Sequence, residues 1–278
     1  MLKWKRVKTE VFLVFIFFVL FSPKLKAETA KPSSYGETLC RAEGFHCLKL
    51  GENVAGEKFS DTWASLWPDP NEREIVMKVN RLNIQLYKGL IIAVPNDMAN
   101  KTFMDYSPFE LQIDPLSLQP IIICTENFPT LDELLFEAQI KKRGEKLLVF
   151  DPQLLAWAAY DEAGNLVRWG PAVGGKDYCP DTRQICRTPE GEFKVALKAS
   201  KNYRSHKFPA GCKDKDCAPM PYAMIFYTDG CAFHGSPEVP GRHASHGCVR
   251  LFIEDTEWLN KNFAEVGTKI IIKPYLKK

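Results

Sequence analysis

The sequence lacks several things at once. Its longest apolar run, residues 11–21, has eleven residues, and a membrane-spanning helix needs about 20. It has no low-complexity tract and no internal repeat, which excludes solenoids and repeat arrays. Charge of one sign is not in excess: the formal net charge is +3 over 278 residues. Residues 1–27 alone carry +5, so the remainder is slightly acidic at −2, with none of the basic excess that marks a dedicated nucleic-acid binder. Histidine is scarce, with five in the chain. What is present is 45% hydrophobic residues, too many for a disordered chain, and enough length for one or two domains at roughly 100–200 residues each. Cysteine is present in an odd number, nine.

Residues 1–27 read as an export signal. A basic start (Lys3, Lys5, Arg6, Lys8) precedes the apolar run, Ser22-Pro23 breaks it, and Ala27 offers a small residue for cleavage. A mature chain starting near Glu28 then folds in an oxidising compartment, where disulfides persist. Residues 28–37 read as a polar linker, 38–125 as a first region, 126–144 as a connector and 145–276 as a second region.

In the first region, Ile75, Val76, Val79 and Leu82 recur at helical spacing across residues 72–82. Residues 89–94 then read as a strand stopped by Pro95. Trp63, Leu66, Asn80, Asn83, Gly89, Ile92 and Pro95 resemble a lysin-motif (LysM) module, which implies binding to the N-acetyl sugars of peptidoglycan. A plain helical packing module is the competing reading. The second region is β-rich, with short apolar or alternating runs at 146–151, 154–160, 166–169, 192–197, 223–227 and 269–273, several of them separated by Gly and Pro turns. One late helix is expected, capped by Asp255, with Trp258, Leu259, Phe263 and Val266 on its apolar face and Gly267 ending it. The fold class is mainly β with one late helix, preceded by a small α+β domain.

Chemistry-bearing residues gather between positions 233 and 251. His234-Gly235-Ser236 is followed by Ser245-His246-Gly247-Cys248-Val249-Arg250-Leu251. A cysteine attacks a carbonyl as its thiolate, and a nearby imidazole can take its proton. A glycine just before the cysteine lets backbone and substrate approach closely. The residue types leave other readings open. Cys248 can be half of a disulfide, the set His234, His243, His246 and Cys248 can hold zinc, or the segment can be a glycine-rich turn.

The pattern is similar to the signature of the L,D-transpeptidases, the YkuD-type catalytic domain. Upstream residues agree with the resemblance: residues 147–173 resemble the family's opening hairpin, Gly174 the glycine that follows it, and Thr188-Pro189-Glu190-Gly191-Glu192-Phe193 a further family motif. The segments around Tyr178-Cys179-Pro180 and Ala218-Pro219-Met220-Pro221-Tyr222 resemble a bacterial subgroup named for a host-cell phenotype. The resemblance implies a YkuD-type β-sandwich, with Cys248 as nucleophile, His234 as its activating base and the Gly235 carbonyl orienting the ring. It places His246 and Gly247 beside the nucleophile, with the amides leading into Cys248 as oxyanion donors. Arg250 is expected to bind a substrate carboxylate or brace the loop. Ser245, Ser236, Tyr222 and Met220 are candidates for substrate contact, as is Tyr203, and His243 is expected to be an exposed loop residue.

The implied substrate is a peptidoglycan tetrapeptide stem, attacked at its third residue with D-alanine leaving and the thioester resolved by an amine. Hydrolysis of the same thioester by an endopeptidase or carboxypeptidase is the alternative in the same chemistry, and a non-catalytic wall-binding or host-interaction protein is the alternative outside it. No cofactor or metal is expected. The expected partners are stem peptides and, through the first region, glycan, with no nucleic acid and no membrane once the signal is removed. With Cys248 set aside, the simplest pairing of the other eight cysteines is Cys40 with Cys47, Cys179 with Cys186, Cys212 with Cys217 and Cys124 with Cys231, one of 105 connectivities.

Overall fold

The computed structural model describes residues 34–51, 59–109, 112–113, 120–121, 140, 143–228 and 230–275. The expected export signal, most of the linker, Cys124 and most of the connector lie outside the described residues.

The amino-terminal region is built from short elements with well-formed starts. After α1 (Tyr35–Leu39) comes strand β1 (Phe45–Lys49), then α2 (Trp63–Leu66), α3 (Pro70–Val79) and strand β2 (Ile91–Pro95). Thr62 and Ser65 form a reciprocal capping box on α2. Asp69 caps α3 by accepting from Glu72 N–H at 2.9 Å, and Pro70 takes the first helical position, where a missing N–H does no harm. Ile75, Val76 and Val79 are buried along one face, as their spacing predicts. The helix ends three residues before the expected Leu82, because Asn80 turns its amide inward. Its Nδ2 donates to the carbonyls of Val76 and Ala93, and its Oδ1 accepts from Ala93 N–H. One buried side chain therefore ties the end of α3 to β2, which pairs antiparallel with β1. Strands β3 (Gln112–Ile113) and β4 (Pro120–Ile121) form a small antiparallel pair.

Nine strands make the second region: β5 (Leu147–Asp151), β6 (Ala156–Tyr160), β7 (Leu166–Val173), β8 (Gly191–Lys194), β9 (Leu197–Lys198), β10 (Met224–Ile225), β11 (Ala232–Gly235), β12 (Val249–Leu251) and β13 (Lys269–Ile272). They hydrogen-bond in the order β8-β13-β5-β6-β7-β12-β11-β10-β9. The sheet curls, so that Leu148, Phe150 and Trp157 from one half meet Met224, Phe233, Val249 and Leu251 from the other in one buried cluster. The fold is mainly β, as expected. Strand β7 outruns its expected end at Trp169: Pro171 lacks an N–H but sits opposite Ala156, the first residue of β6, and the strand goes on to pair with β12 through Ala172 and Val173.

The late helix is present, with a different start and end. Helix α4 (Ile253–Trp258) follows Phe252 and continues as a wider π-helical turn, Leu259–Phe263. Asp255 lies inside α4, buried, where it faces Lys78 and Arg168, so it does not cap the helix. Gly267, at φ +97°, forms the turn into β13 instead of ending the helix. Among the described residues no helix is long and apolar enough to cross a membrane.

Candidate active site

Parallel neighbouring strands cannot be joined by a tight turn and need a crossover of about a dozen residues or more. Strands β11 and β12 are such a pair, with Phe233 opposite Val249, His234 opposite Arg250 and Gly235 opposite Leu251. Their crossover is the 236–248 segment, and it delivers Cys248 to the mouth of β12. Side chains alternate along a strand, so this register sorts the motif by face. Phe233, Val249 and Leu251 enter the core. His234, Arg250 and Cys248 share the opposite face.

On that face the Nδ1 atom of His234 lies 2.9 Å from the Gly235 carbonyl oxygen, which fixes the buried ring and leaves Nε2 toward the thiol. The Sγ atom of Cys248 is 3.8 Å from the Gly230 carbonyl oxygen. Hydrogen bonding with Cys231 holds the Cys248 thiol well below the ordinary thiol range, with a hydrogen bond and the charge of His234 adding to it against the opposing effect of burial.

The crossover is braced from two sides. Gly174 carbonyl accepts from the N–H groups of Ala244 and Ser245, and Lys176 N–H donates to Ser245 carbonyl. The buried Ser245 hydroxyl donates to the Cys248 carbonyl and accepts from Gly247 N–H at 3.0 Å. Ser245 therefore shapes the loop from within, and the Gly247 amide is engaged rather than open to an oxyanion. Gly247 adopts φ +122°, a conformation favouring glycine, and a Cβ there would sit 3.3 Å from Cys231 Sγ. A Cβ on Gly175 would fall 1.5 Å from the Cys186 carbonyl oxygen, so only glycine lets the Cys179–Cys186 loop pack this close.

On the other side stands the amino-terminal region. Asn83 Nδ2 donates to Ser236 carbonyl at 2.9 Å, and its Oδ1 accepts from Val239 N–H at 2.7 Å. Leu82 bridges to Pro240, and Tyr35 N–H donates to Gly241 carbonyl. Sequence reading had placed Asn83 only in the lysin-motif-like pattern. Asp181 and Phe208 also went unnoticed: His246 Nε2 lies 2.7 Å from Asp181 Oδ2, and the Phe208 ring stacks on the imidazole at 4.6 Å. That hydrogen bond holds the Asp181 carboxyl below its usual range. No spacing rule links these residues to the motif.

The other expected site residues divide. Arg250 faces the thiol side, half-buried, 4.0 Å from Glu238. Ser236 Oγ accepts from Glu238 N–H inside the loop. Tyr222, at φ +58°, donates its hydroxyl to Glu257 on α4 at 2.7 Å. Met220 is buried with Ala223 and Ala232 in a cluster against which Tyr203 and Cys248 pack. His243 is not the exposed residue expected. It accepts from Gly174 N–H at 3.1 Å, packs on Tyr275 and Phe150, and burial pushes its pKa down.

Three disulfides form among the described residues, Cys40–Cys47, Cys179–Cys186 and Cys212–Cys217, with Cα separations of 5.6, 5.9 and 5.0 Å. The fourth expected pair involves Cys124 and lies outside the description. The four residues of the zinc reading do not converge, since His243 turns to Gly174 and His246 to Asp181. Cys179, Asp181 and His246 do come within 4.8 Å, but the sulfur of Cys179 is bonded to Cys186.

Comparison with known proteins agrees with the motif. The family model of the YkuD L,D-transpeptidase catalytic domain matches residues 146–272. No curated protein matches the chain. Similar solved structures include an L,D-transpeptidase from Xylanimonas cellulosilytica, 24% identical over 48% of this chain and 62% of that one, with a TM-score of 0.40. One from Mycobacterium smegmatis is 23% identical over 47% and 59%, with a TM-score of 0.38. L,D-transpeptidase 3 from Mycobacterium tuberculosis, carrying a faropenem-derived adduct, is 21% identical over 46% and 60%, also at 0.38. The chain thus spans about three fifths of the length of each. With the signature in place and the family model covering the whole β region, residues 146–272 are an L,D-transpeptidase catalytic domain of the YkuD family.

Proposed function

We propose that this protein acylates Cys248 on a peptidoglycan tetrapeptide stem and passes the acyl group to an amine. The observation that carries the reading is the β11–β12 register, which sets Cys248 and His234 on one face with the thiol acidified. His234 Nε2 takes the proton from Cys248 Sγ, and the thiolate attacks the carbonyl carbon of the third stem residue. The amide of Cys248 itself is the nearest oxyanion donor left once Gly247 N–H is engaged by Ser245. Collapse breaks the carbon–nitrogen bond to D-alanine, whose nitrogen leaves with the proton held on His234. The acceptor amine then attacks the thioester, the carbon–sulfur bond breaks, and the amine's proton returns through His234 to sulfur. Arg250 is the cation on this face available to a substrate carboxylate. The three disulfides suit a compartment outside the cytoplasm.

The test is incubation of the mature protein with disaccharide-tetrapeptide, read by mass spectrometry. The expected results are a tripeptide thioester on Cys248, free D-alanine, and a crosslinked dimer or D-amino-acid exchange product. Tripeptide as the sole product would replace transfer by hydrolysis. Full activity in Cys248→Ala would overturn the mechanism.

A further inference from the structure

The net charge of the chain conceals a local excess. Residues 201–217 hold five basic side chains against two acidic ones, within a body that is otherwise acidic. The structure folds this segment around a cavity of about 690 Å3, whose polar lining includes Lys201, Tyr203, Arg204, His206, Asp214 and Lys215. That volume suits part of a peptide.

The cavity has a fixed frame. The Cys212–Cys217 disulfide closes one wall. Arg204 bridges to Pro219, and its guanidinium donates to the Cys217 carbonyl, so it is held in place rather than loose. Ser205 N–H donates to Ala218 carbonyl, and Met220 N–H to Tyr203 carbonyl, which zips the two arms of the loop together. Neither Lys201 nor Lys215 forms an ion pair among the described residues, and the lining carries a single carboxylate, Asp214. The same loop touches the nucleophile's surroundings at two points. Tyr203 packs in the cluster that Cys248 joins, and Phe208 stacks on His246.

A rigid, cation-lined cavity beside an acyl-transfer centre selects for an anion attached to the reacting chain. Resting on the function proposed above, we infer that this cavity is a subsite for a free carboxylate of the stem peptide, held by Lys201 and Lys215 with Arg204 as the fixed cation between the loop arms. Such a site reads charge at a distance from the scissile bond, and so discriminates a free-acid stem from an amidated one.

The experiment compares free-acid and carboxyl-amidated disaccharide-tetrapeptides on the mature wild-type protein and on the Lys201→Ala/Lys215→Ala double variant. Alkylation of Cys248 by the neutral reagent iodoacetamide serves as a check on the nucleophile. Wild type is expected to prefer the free-acid stem. Loss of two exposed charge contacts should raise KM for that stem up to about tenfold, leaving KM for the amidated stem unchanged. The alkylation rate at Cys248 should stay the same in both proteins. Equal KM for the two stems in wild type, or an undiminished preference in the double variant, would overturn this inference alone. No thioester on wild-type Cys248 with either stem would overturn the function reading and this inference with it.

Discussion

The lowered pKa of Cys248 comes from its neighbours. An ordinary cysteine titrates near about 8.5, and here hydrogen bonding with Cys231, reinforced by His234, moves the group down. Alkylation by iodoacetamide follows the thiolate, so its rate should persist at pH values where an ordinary thiol is protonated. Removing a group that stabilises the thiolate raises the pKa and moves the acidic limb to higher pH. We therefore expect that shift in Cys231→Ala and in His234→Ala, measured as the pH profile of alkylation at Cys248. Cys231→Ser keeps a donor and should stay close to wild type. A profile in Cys231→Ala that coincides with wild type would show that Cys231 does not lower the Cys248 pKa. The motif around Cys248 and the three short-range cysteine pairs were visible in the sequence because each is local. His243 was misread because what buries it, Gly174, Phe150 and Tyr275, is far away along the chain.

At the scale of elements, the near-continuous apolar runs of β5, β6 and β13 located those strands to within a few residues, since a strand buried on both faces carries apolar residues at almost every position. The start of α4 was not legible. Asp255, a short acidic residue just ahead of an apolar helical pattern, has the profile of a cap, and only the distant Lys78 and Arg168 give it another task. The crossover between β11 and β12 was equally hidden, because parallel pairing is a matter of topology. Its bracing by Asn83 gives a prediction. Asn83→Ala deletes two hydrogen bonds to the 236–239 backbone, worth roughly 0.5–1.5 kcal/mol each, and leaves the Ser236 and Val239 groups unpaired. Because the loop carries Cys248, the proposed nucleophile, kcat on the tetrapeptide should fall by about tenfold or more, while β-sheet content by circular dichroism stays intact. A variant with unchanged kcat would show that the crossover holds its shape without this brace.

At the scale of the whole molecule, the two regions share one buried ionic centre. Lys78 Nζ on α3 lies 2.9 Å from Asp255 on α4, and Arg168 of β7 reaches the same oxygen at 3.0 Å. Both Lys78 and Asp255 are about 1% exposed. A buried pair adds little over a well-packed apolar pair, but losing one partner strands the other charge. Lys78 also pairs with Glu74 at 3.1 Å, so Asp255→Ala should cost about 3 kcal/mol in urea unfolding, the lower end for a broken buried pair, and Lys78→Met/Asp255→Leu should cost less than the single change. A double variant that loses as much as Asp255→Ala, or more, would mean that the stranded Lys78 charge is not what the single change costs.

The Asn83 contact also bears on descent. A crossover loop held by a side chain some 150 positions upstream is not a cassette that recombination can move between proteins intact. A transplanted β region would arrive with Cys248 and His234 but without the residue that holds the backbone around them. A recombinant with a different amino-terminal segment would have to rebuild that hold from another side chain.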